Sequence, residues 1–316
     1  MNRRKTSFAA FFSISALVGL ACVGDEPSTT ANAGDAATPD ATADVAASDG
    51  ADGRDSISDA PSETSTDGGP IASVAGLALW LDGDSVIAAA GTKVPTWSDR
   101  SLNHNDAVQT VVANQPVISV GGGGVNGHNV VTFDGTASYL TIASASSLDL
   151  DTTGFLVEAV VRFPPASTAD FGQSIYSRAD GTSGDGVSLG VLHTSANGHP
   201  AQLFAQIDGS DEVSSAPGVA ATVGHRIRTR WLPVTDGGGG GILAVQIDSA
   251  AELTQYVAAP PIFSGTGATG FVGHSSSTTL PQFFRGDIAS IVVVRGLVDD
   301  AHVAAIESDL DGRYGL

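Results

Sequence analysis

The feature that most constrains the fold is a series of short strand-like segments spread over residues 71 to 316. Each is rich in β-branched or apolar residues, several alternate with a period of two, and clusters of Gly, Asp, Ser or Pro separate them. The segments are VVTFDGTASYLTI (130 to 142), FLVEAVVRF (155 to 163), GVSLGVLHT (186 to 194), AQLFAQID (201 to 208), HRIRTRWLPV (225 to 234), ILAVQID (242 to 248) and DIASIVVVR (287 to 295). This pattern predicts an all-β domain, a sandwich or a jelly roll.

One helix is expected after the last strand, over DDAHVAAIESDLDG (299 to 312). Asp299 or Asp300 can cap its N-terminus, and Gly312 can end it. The apolar positions expected on its buried face are Val303, Ile306 and Leu310, with Tyr314 continuing the contact.

Charge and cysteine content exclude several functions. The 316 residues include 34 acidic and 14 basic ones, a formal net charge of −20, which repels nucleic-acid phosphates and anionic membrane surfaces. Cys22 is the single cysteine, so no disulfide framework and no cysteine-based metal site is expected. GGGVNG (122 to 127) and GTGATG (265 to 270) precede strand-like segments rather than helices, so no nucleotide site is expected either.

Residues 1 to 22 have the order of a secretory signal peptide, with Arg3, Arg4 and Lys5 followed by an apolar run. The run ends in LVGLAC, which resembles the lipobox of bacterial lipoproteins and implies that Cys22 is the lipid-attachment residue. Gly19 stands where that motif usually has leucine. Val23, rather than aspartate, follows the cysteine and favours the outer membrane. The alternative is ordinary cleavage that releases a soluble secreted protein.

Residues 23 to 70 are predicted to be a disordered acidic linker. They consist mainly of Ala, Asp, Ser, Thr, Gly and Pro, with Ile57 as the one large apolar residue, and cannot bury enough surface to fold. Like-charge repulsion would extend such a segment, which would span roughly 40 Å as a flexible coil.

Four parts of residues 71 to 316 together resemble one domain family. LALWLDGD (77 to 84), WSDRSLNHNDA (97 to 107), VVTFDGTASYL (130 to 140) and FRGDIASIVVVRGLVDDAHVAAIESDLDGRYGL (284 to 316) resemble the laminin-G-like, concanavalin A-like lectin/glucanase domains of bacterial surface proteins. The resemblance implies a two-sheet antiparallel jelly-roll sandwich whose N- and C-terminal strands are adjacent. It also implies that a ligand would bind on the concave face or the rim loops.

WSDRSLNHNDA permits two interpretations. In the first, which the resemblance favours, Trp97 packs in the core while Asp99, Asn103 and Asn105 hydrogen-bond the backbone of a loop. In the second, nearby oxygen donors form a calcium site, since calcium takes six to eight oxygen ligands. The residues expected to hold it are Asp82, Asp99, Asn105 and Asp134. No other cofactor is expected.

Carbohydrate is the expected ligand, because aromatic faces combined with hydrogen-bonding side chains bind sugars. The available aromatic platforms are Trp80, Trp97, Tyr139, Tyr176 and Trp231, of which Trp80 and Tyr139 are the candidate binding residues. The alternative for each is a place in the core.

HRIRTRW places Arg226, Arg228 and Arg230 on one face of a strand. Arginine forks match carboxylate and sulfate oxygens, so this face is a second candidate site, for an anionic glycan. The alternative is pairing with Asp or Glu of neighbouring elements.

No enzymatic activity is expected from the motifs. The ExDxE-like strand of the related glucanases is absent, as are HExxH and GxSxG, and Glu158 is the one carboxylate within a strong strand pattern. The predicted function is therefore a surface-anchored, non-catalytic protein that binds carbohydrate or a glycosylated partner. The alternatives are a structural or protein-interaction module of the cell envelope and a glycoside hydrolase with atypical placement of its acids.

Overall fold

The computed structural model describes residues 69–150, 153–164, 173–179, 186–194, 199–207, 211–214, 219–234, 239–258, 268–275 and 282–316. The predicted signal peptide, Cys22 and all but the last two residues of the predicted linker lie outside these ranges. No helix within the described ranges is long and apolar enough to span a bilayer.

The described part contains sixteen strands, two α-helices and four 3-10 helices of three residues each (Gly83–Ser85, Val112–Asn114, Gly121–Gly123 and Ser146–Leu148). The strands are β1 (Leu77–Asp82), β2 (Thr96–Trp97), β3 (Ala107–Val108), β4 (Val117–Ser119), β5 (Val130–Asp134), β6 (Leu140–Ile142), β7 (Phe155–Arg162), β8 (Gln173–Ala179), β9 (Gly186–Thr194), β10 (His199–Ile207), β11 (Asp211–Ser214), β12 (Gly224–Pro233), β13 (Gly241–Ile247), β14 (Leu253–Val257), β15 (Thr269–Val272) and β16 (Arg285–Arg295). The helices are α1 (Gly69–Ala72) and α2 (Asp300–Tyr314).

The strands form two eight-stranded antiparallel sheets. The first sheet has the order β14-β13-β12-β7-β16-β5-β4, with β1 also paired to β16. The second has the order β11-β10-β9-β8-β15-β6-β3-β2. The predicted all-β, two-sheet antiparallel jelly-roll sandwich with a C-terminal helix is confirmed, and so is the adjacency of the first and last strands.

Each of the seven predicted segments contains at least one strand. GVSLGVLHT coincides with β9, whereas residues 130 to 142 divide into β5 and β6. The division follows from Asp134, whose carboxylate accepts hydrogen bonds from the backbone N–H groups of the turn that begins at Gly135. Asp and Gly are residues that favour such a turn.

The main core lies between the sheets. Alternate residues of the strands point inward, as the period of two requires. In the first sheet Val157 and Ile291 are fully buried, and Leu189 and Val272 are fully buried in the second. A smaller apolar cluster lies on the other side of the first sheet, beneath α2.

Helix α2 closes that smaller cluster. Asp299 is its N-cap and accepts a hydrogen bond from His302 N at 2.8 Å, as predicted. Gly312 does not end the helix, which continues to Tyr314 and stops at Gly315, a residue in the left-handed conformation (φ 62°). The helical residues buried against the sheet are Val303, Ile306, Leu310 and Tyr314. Each such burial stabilises the fold by on the order of 2 kcal/mol.

Candidate functional site

The WSDRSLNHNDA segment forms a corner of the fold that is held by a buried carboxylate. Both oxygens of Asp99 are occupied. Oδ1 accepts from Trp80 N and Ser101 N, both at 2.8 Å, and Oδ2 accepts from Ser101 Oγ at 2.6 Å and Asn105 N at 2.7 Å. Trp97 is fully buried in the main core, and its Nε1 donates to Asp82 O at 2.9 Å. These contacts are the ones expected if WSDRSLNHNDA packs Trp97 in the core and hydrogen-bonds a loop backbone.

The two asparagines attach this corner to β1. Asn103 Nδ2 donates to Leu77 O at 2.8 Å, and Asn105 Nδ2 donates to Ala78 O at 2.8 Å. Asn105 Nδ2 also reaches Ser147 Oγ at 2.9 Å. The side chains therefore satisfy backbone groups that the irregular chain would otherwise leave unpaired.

The four residues expected to hold calcium have other partners. The Asp82 carboxylate accepts from Arg313 Nη1 at 2.8 Å and Arg100 Nη1 on Oδ2, and from Asp84 N at 3.0 Å on Oδ1. Burial acts to raise the pKa of Asp134, but three backbone N–H donors outweigh it and hold that pKa below its ordinary value.

Asp99 and Asn105 serve the corner, as described above. Within the described residues, no three His, Cys, Asp or Glu side chains are placed where one metal ion could be held. Calcium binding stays a prediction, and the hydrogen bonds of Asp82, Asp99 and Asp134 Oδ1 show that N–H and guanidinium groups already engage most of the proposed oxygens.

The three arginines of β12 lie beneath α2 and are paired with carboxylates. Arg226 is 5% exposed and Arg228 is 6% exposed. Arg226 pairs with Asp311, and Arg228 pairs with Glu307. A third helix residue, Asp300, accepts from Arg230 Nη1 at 2.8 Å.

Two further carboxylates complete this network. Glu252 accepts from Arg230 Nε at 2.8 Å and from Arg228 Nη2 at 3.1 Å, and its hydrogen bond raises the pKa of Arg230. Glu158 Oε1 lies 3.1 Å from Arg226 Nε and is fully buried. Burial raises the pKa of Glu158 to about 8, although the charges of Arg226 and Arg228 act to lower it.

An anionic glycan would have to replace α2 to reach these arginines. That replacement would expose the apolar cluster beneath the helix, in which Ile306 and Leu310 are almost fully buried. The structure thus gives the arginines of β12 the carboxylate pairing of the alternative interpretation, and α2 covers this face of the strand.

Trp80 is also unavailable as a sugar platform. It is 1% exposed, and the guanidinium carbon of Arg100 lies 4.1 Å from its ring centroid. The guanidinium carbon of Arg313 lies 5.4 Å from the same ring system. The chain's own cations therefore cover this indole. Trp97, Tyr176 and Trp231 are buried as well.

Tyr139 has a different environment, on the outer side of the second sheet. It belongs to an aromatic cluster of four half-buried rings: Tyr139, Phe271, His274 and Phe283. His274 lies at the centre, with ring centroids 5.3 Å from Tyr139, 5.4 Å from Phe271 and 4.4 Å from Phe283. Burial lowers the pKa of His274 and keeps its imidazole neutral. Four adjacent, partly exposed rings form a surface that can contact a ligand.

The sheet beneath positions this cluster. Phe271 pairs in register with Thr141 of β6 and Ser177 of β8, so its side chain points outward while Val272 points into the core. Ser177 Oγ donates to His274 O at 2.9 Å and attaches the segment after β15 to the sheet.

The sequence interpretation identified Tyr139 but missed the other three rings. A signal was present at Phe283 and Phe284, because neighbouring residues of an extended chain point to opposite sides. Phe284 is fully buried, and Phe283 is half-buried on the outside. Which of the two faces outward cannot be read from a pair of identical residues.

A rim cleft of about 390 Å³ is a further cavity among the described residues. Its polar wall is an internal network in which Asp287 Oδ2 accepts from Arg162 Nε at 2.8 Å. Thr132 Oγ1 donates to the other oxygen of Asp287 at 2.6 Å. These groups hydrogen-bond to each other, so the cleft has fewer unpaired polar groups for a ligand, and the aromatic cluster is the better candidate site.

Comparison with known proteins yields structural neighbours only, since no protein-family model and no curated protein matches the sequence. One neighbour is a GH54 α-L-arabinofuranosidase soaked with a cyclic sulfate inhibitor, with TM-score 0.49 and 12% identity over 76% of this chain and 60% of that chain. Another is an alginate lyase, with TM-score 0.41 and 13% identity over 68% of this chain and 93% of that chain.

A third neighbour is the CBM40 of a Ruminococcus gnavus IT-sialidase bound to α2,3-sialyllactose. Its TM-score is 0.38, with 12% identity over 56% of this chain and 95% of that chain. A different soak of the GH54 enzyme is matched over only half of that chain's length.

The expectation that excluded enzymatic activity is wrong, because glycoside hydrolases and a lyase are among these neighbours. The missing ExDxE, HExxH and GxSxG motifs rule out three particular arrangements of catalytic groups. Catalytic acids can also come from other strands and loops of a β-sandwich, because proteins that share a fold can carry different catalytic sites.

Proposed function

We propose that this chain binds carbohydrate through the outer face of its second sheet. The observation that carries the proposal is the aromatic cluster, in which four half-buried rings lie side by side. A pyranose ring presents C–H groups on its faces and hydroxyls at its edge. Rigid aromatic rings pack against the C–H faces of the sugar, and polar side chains of the neighbouring strands hydrogen-bond its hydroxyls.

The other candidate sites support this choice by elimination. Asp99 is saturated with hydrogen bonds, the arginines of β12 are paired with carboxylates, and Trp80 is covered by guanidinium groups. Of the predicted sugar contacts, Tyr139 keeps exposed ring surface in the described part of the chain, and it belongs to the aromatic cluster.

Glycan-array binding of the full-length chain tests the proposal, with Phe271→Ala as the site variant and Tyr256→Ala as the matched control. Tyr256 is an aromatic residue of β14 that is 54% exposed on the first sheet. We expect binding that falls at least tenfold in Phe271→Ala and is unchanged in Tyr256→Ala. Each array ligand is also checked for shortened products, which would reveal catalysis.

Silence of the folded chain across a broad array would overturn the proposal and favour the structural or protein-interaction alternative. Equal binding by wild type and Phe271→Ala would overturn the assignment to the aromatic cluster.

We also propose that the domain is laminin-G-like and is carried on a lipid-anchored, exported chain, in the outer membrane, where it meets carbohydrate or a glycosylated surface partner. The signal-like residues 1 to 22 and the acidic residues 23 to 70 support this. Palmitate labelling of wild type and of Cys22→Ala in the native host is the test. Label on wild type alone is expected, and equal labelling of both chains would exclude the anchor.

A further inference from the structure

We infer that the ligand is an uncharged oligosaccharide that lies across the strands of the second sheet, from the aromatic cluster towards Gln206. This inference rests on the proposed function and specifies the substrate class and orientation at the same site.

The strand register places five side chains in one line. Thr141, Phe271, Ser177, Ser188 and Gln206 are successive partners across β6, β15, β8, β9 and β10. Partners in register lie side by side, so the line runs perpendicular to the strands. We call these five residues the transverse row. Their neighbours along each strand point inward to the core.

The five residues of the transverse row carry no charge, and the next partner in register, beyond Gln206 on β11, is Glu212. Thr141, Ser188 and Gln206 are half-buried and therefore partly exposed. Ser188 Oγ contacts Ser174 Oγ at 3.0 Å and keeps further hydrogen-bonding capacity. The Gln206 amide makes no hydrogen bond within the described part of the chain, and it carries both donors and an acceptor. Hydroxyls of a sugar need this mixture, since each is donor and acceptor at once.

The same face lacks a cation to hold an acidic sugar. The described strands of the second sheet contain no lysine, and their single arginine is Arg178. Arg178 is fully buried, lies in register with the core residue Val187, and pairs with Asp149 at 2.6 Å. A uronate or sulfated glycan would meet a chain with net charge −20 and no exposed guanidinium on this sheet.

The length of the transverse row points to an oligosaccharide. It crosses five strands, and adjacent strands lie about 4.8 Å apart, so its ends are separated by roughly 19 Å. That distance exceeds a single sugar ring. A ligand stacked on the aromatic cluster would reach Gln206 only when several rings are linked.

The test uses the full-length chain and ladders of xylan-, cellulose-, mannan- and arabinan-derived oligosaccharides, from disaccharide to hexasaccharide. Matched ladders of oligogalacturonates supply the acidic arm. Affinity is measured by titration calorimetry for wild type, Gln206→Ala and Gln255→Ala. Gln255 is an exposed glutamine on β14 of the first sheet and serves as the control.

We expect at least one neutral ladder whose affinity rises about tenfold or more between the short and long members. Gln206→Ala should remove that gain for the long members and leave the disaccharide unchanged, whereas Gln255→Ala should behave as wild type.

Two results would overturn the inference while leaving carbohydrate binding intact. One is preference for oligogalacturonates, and the other is a neutral ladder whose affinity is independent of length or of Gln206. Absence of binding to every ladder and to the glycan array would instead overturn the proposed function.

Discussion

The outer faces of the two sheets differ in how their polar groups are used. On the first sheet, Arg226, Arg228 and Glu158 are almost completely buried beneath α2, and carboxylates of that helix compensate the arginines. On the second sheet, uncharged polar side chains and aromatic rings stay half-exposed. A strand that looks like a binding surface can thus be one half of an internal interface, whereas uncharged polar side chains on an uncovered face keep hydrogen-bonding capacity.

The largest effect is expected from removing a charge from the face of the first sheet that α2 covers. Arg226→Ala should lower the free energy of unfolding by about 4 kcal/mol, because it removes the buried guanidinium that contacts Glu158, Glu307 and Asp311 and leaves these acidic groups facing one another beneath α2. Urea unfolding measures it. Asp300→Ala is the control, since its side chain is 92% exposed and its loss should change stability by about 0.5 kcal/mol or less. A loss below about 1 kcal/mol in Arg226→Ala would show that the ion pairs do not hold α2.

A slightly smaller loss is expected from the apolar side of the same interface. Leu310→Ala should lower the free energy of unfolding by about 3 kcal/mol, through lost burial and the cavity left behind. Leu297, which is 68% exposed, provides the matched control Leu297→Ala, for which a change near zero is expected. Equal values for the two variants would mean that α2 contributes little to stability.

The covered face also predicts how stability depends on pH. The pKa of Glu158 is raised by burial to about 8, above its value in the unfolded chain. Its contribution is fully present below the unfolded pKa and is lost as pH rises from there through about 8. Melting temperature measured across this range should fall in wild type and fall less in Glu158→Gln.

His225 acts in the same direction, since burial lowers its pKa but the hydrogen bonds to Asp248 and Ala220 O, together with the charge of Asp248, outweigh burial and raise it. A His225→Gln chain separates its share of the pH dependence from that of Glu158. The groups that face Glu158 from α2 and β12 are Arg226, Arg228, Glu307 and Asp311. Identical pH profiles for wild type and Glu158→Gln would contradict the assignment of the proton to Glu158.

Substitutions on the second sheet's outer face should have smaller effects on stability. Phe271→Ala should change the free energy of unfolding by about 1 kcal/mol or less, because the ring is already partly exposed. Phe133, almost fully buried in the main core, gives the contrasting variant Phe133→Ala, with a loss of about 3 kcal/mol or more. A large loss in Phe271→Ala would mean that the aromatic cluster serves packing.

The smallest effect is expected from removing calcium. The oxygens of Asp82, Asp99 and Asp134 already accept hydrogen bonds from N–H donors, so no ion is needed to satisfy them. The melting temperature in EDTA should equal that in calcium. A clear rise with calcium would restore a metal site among these residues.

The strands and α2 were predictable from local pattern, because burial of one face imposes its period on the sequence. The sequence indicated the charged face of α2 and that of β12 separately, but not that the two faces contact each other. Asp300, Glu307 and Asp311 are spaced to share one face of a helix, as the arginines share one face of their strand. Nothing local shows that these two faces meet, because their partners lie 70 to 85 residues apart.

The aromatic cluster was harder to predict for the same reason. Tyr139 precedes β6, Phe271 lies on β15 and Phe283 precedes β16, so three separate parts of the chain supply its rings. Pairing of β15 with β6 brings them together. The short strands β2, β3 and β15 carry too few residues for a period of two to be recognised, and their pairing depends on the whole sheet.

The pairing of β1 with β16 has a consequence for how the chain folds. Leu79 opposes Val293, and Asp82 bonds Arg313 across 231 positions of sequence. The first strand of the domain therefore finds its ladder partner only after almost the whole domain has been synthesised. Contacts of such separation slow folding to the range of milliseconds to seconds or longer. The sandwich therefore cannot close while its last strand is still missing.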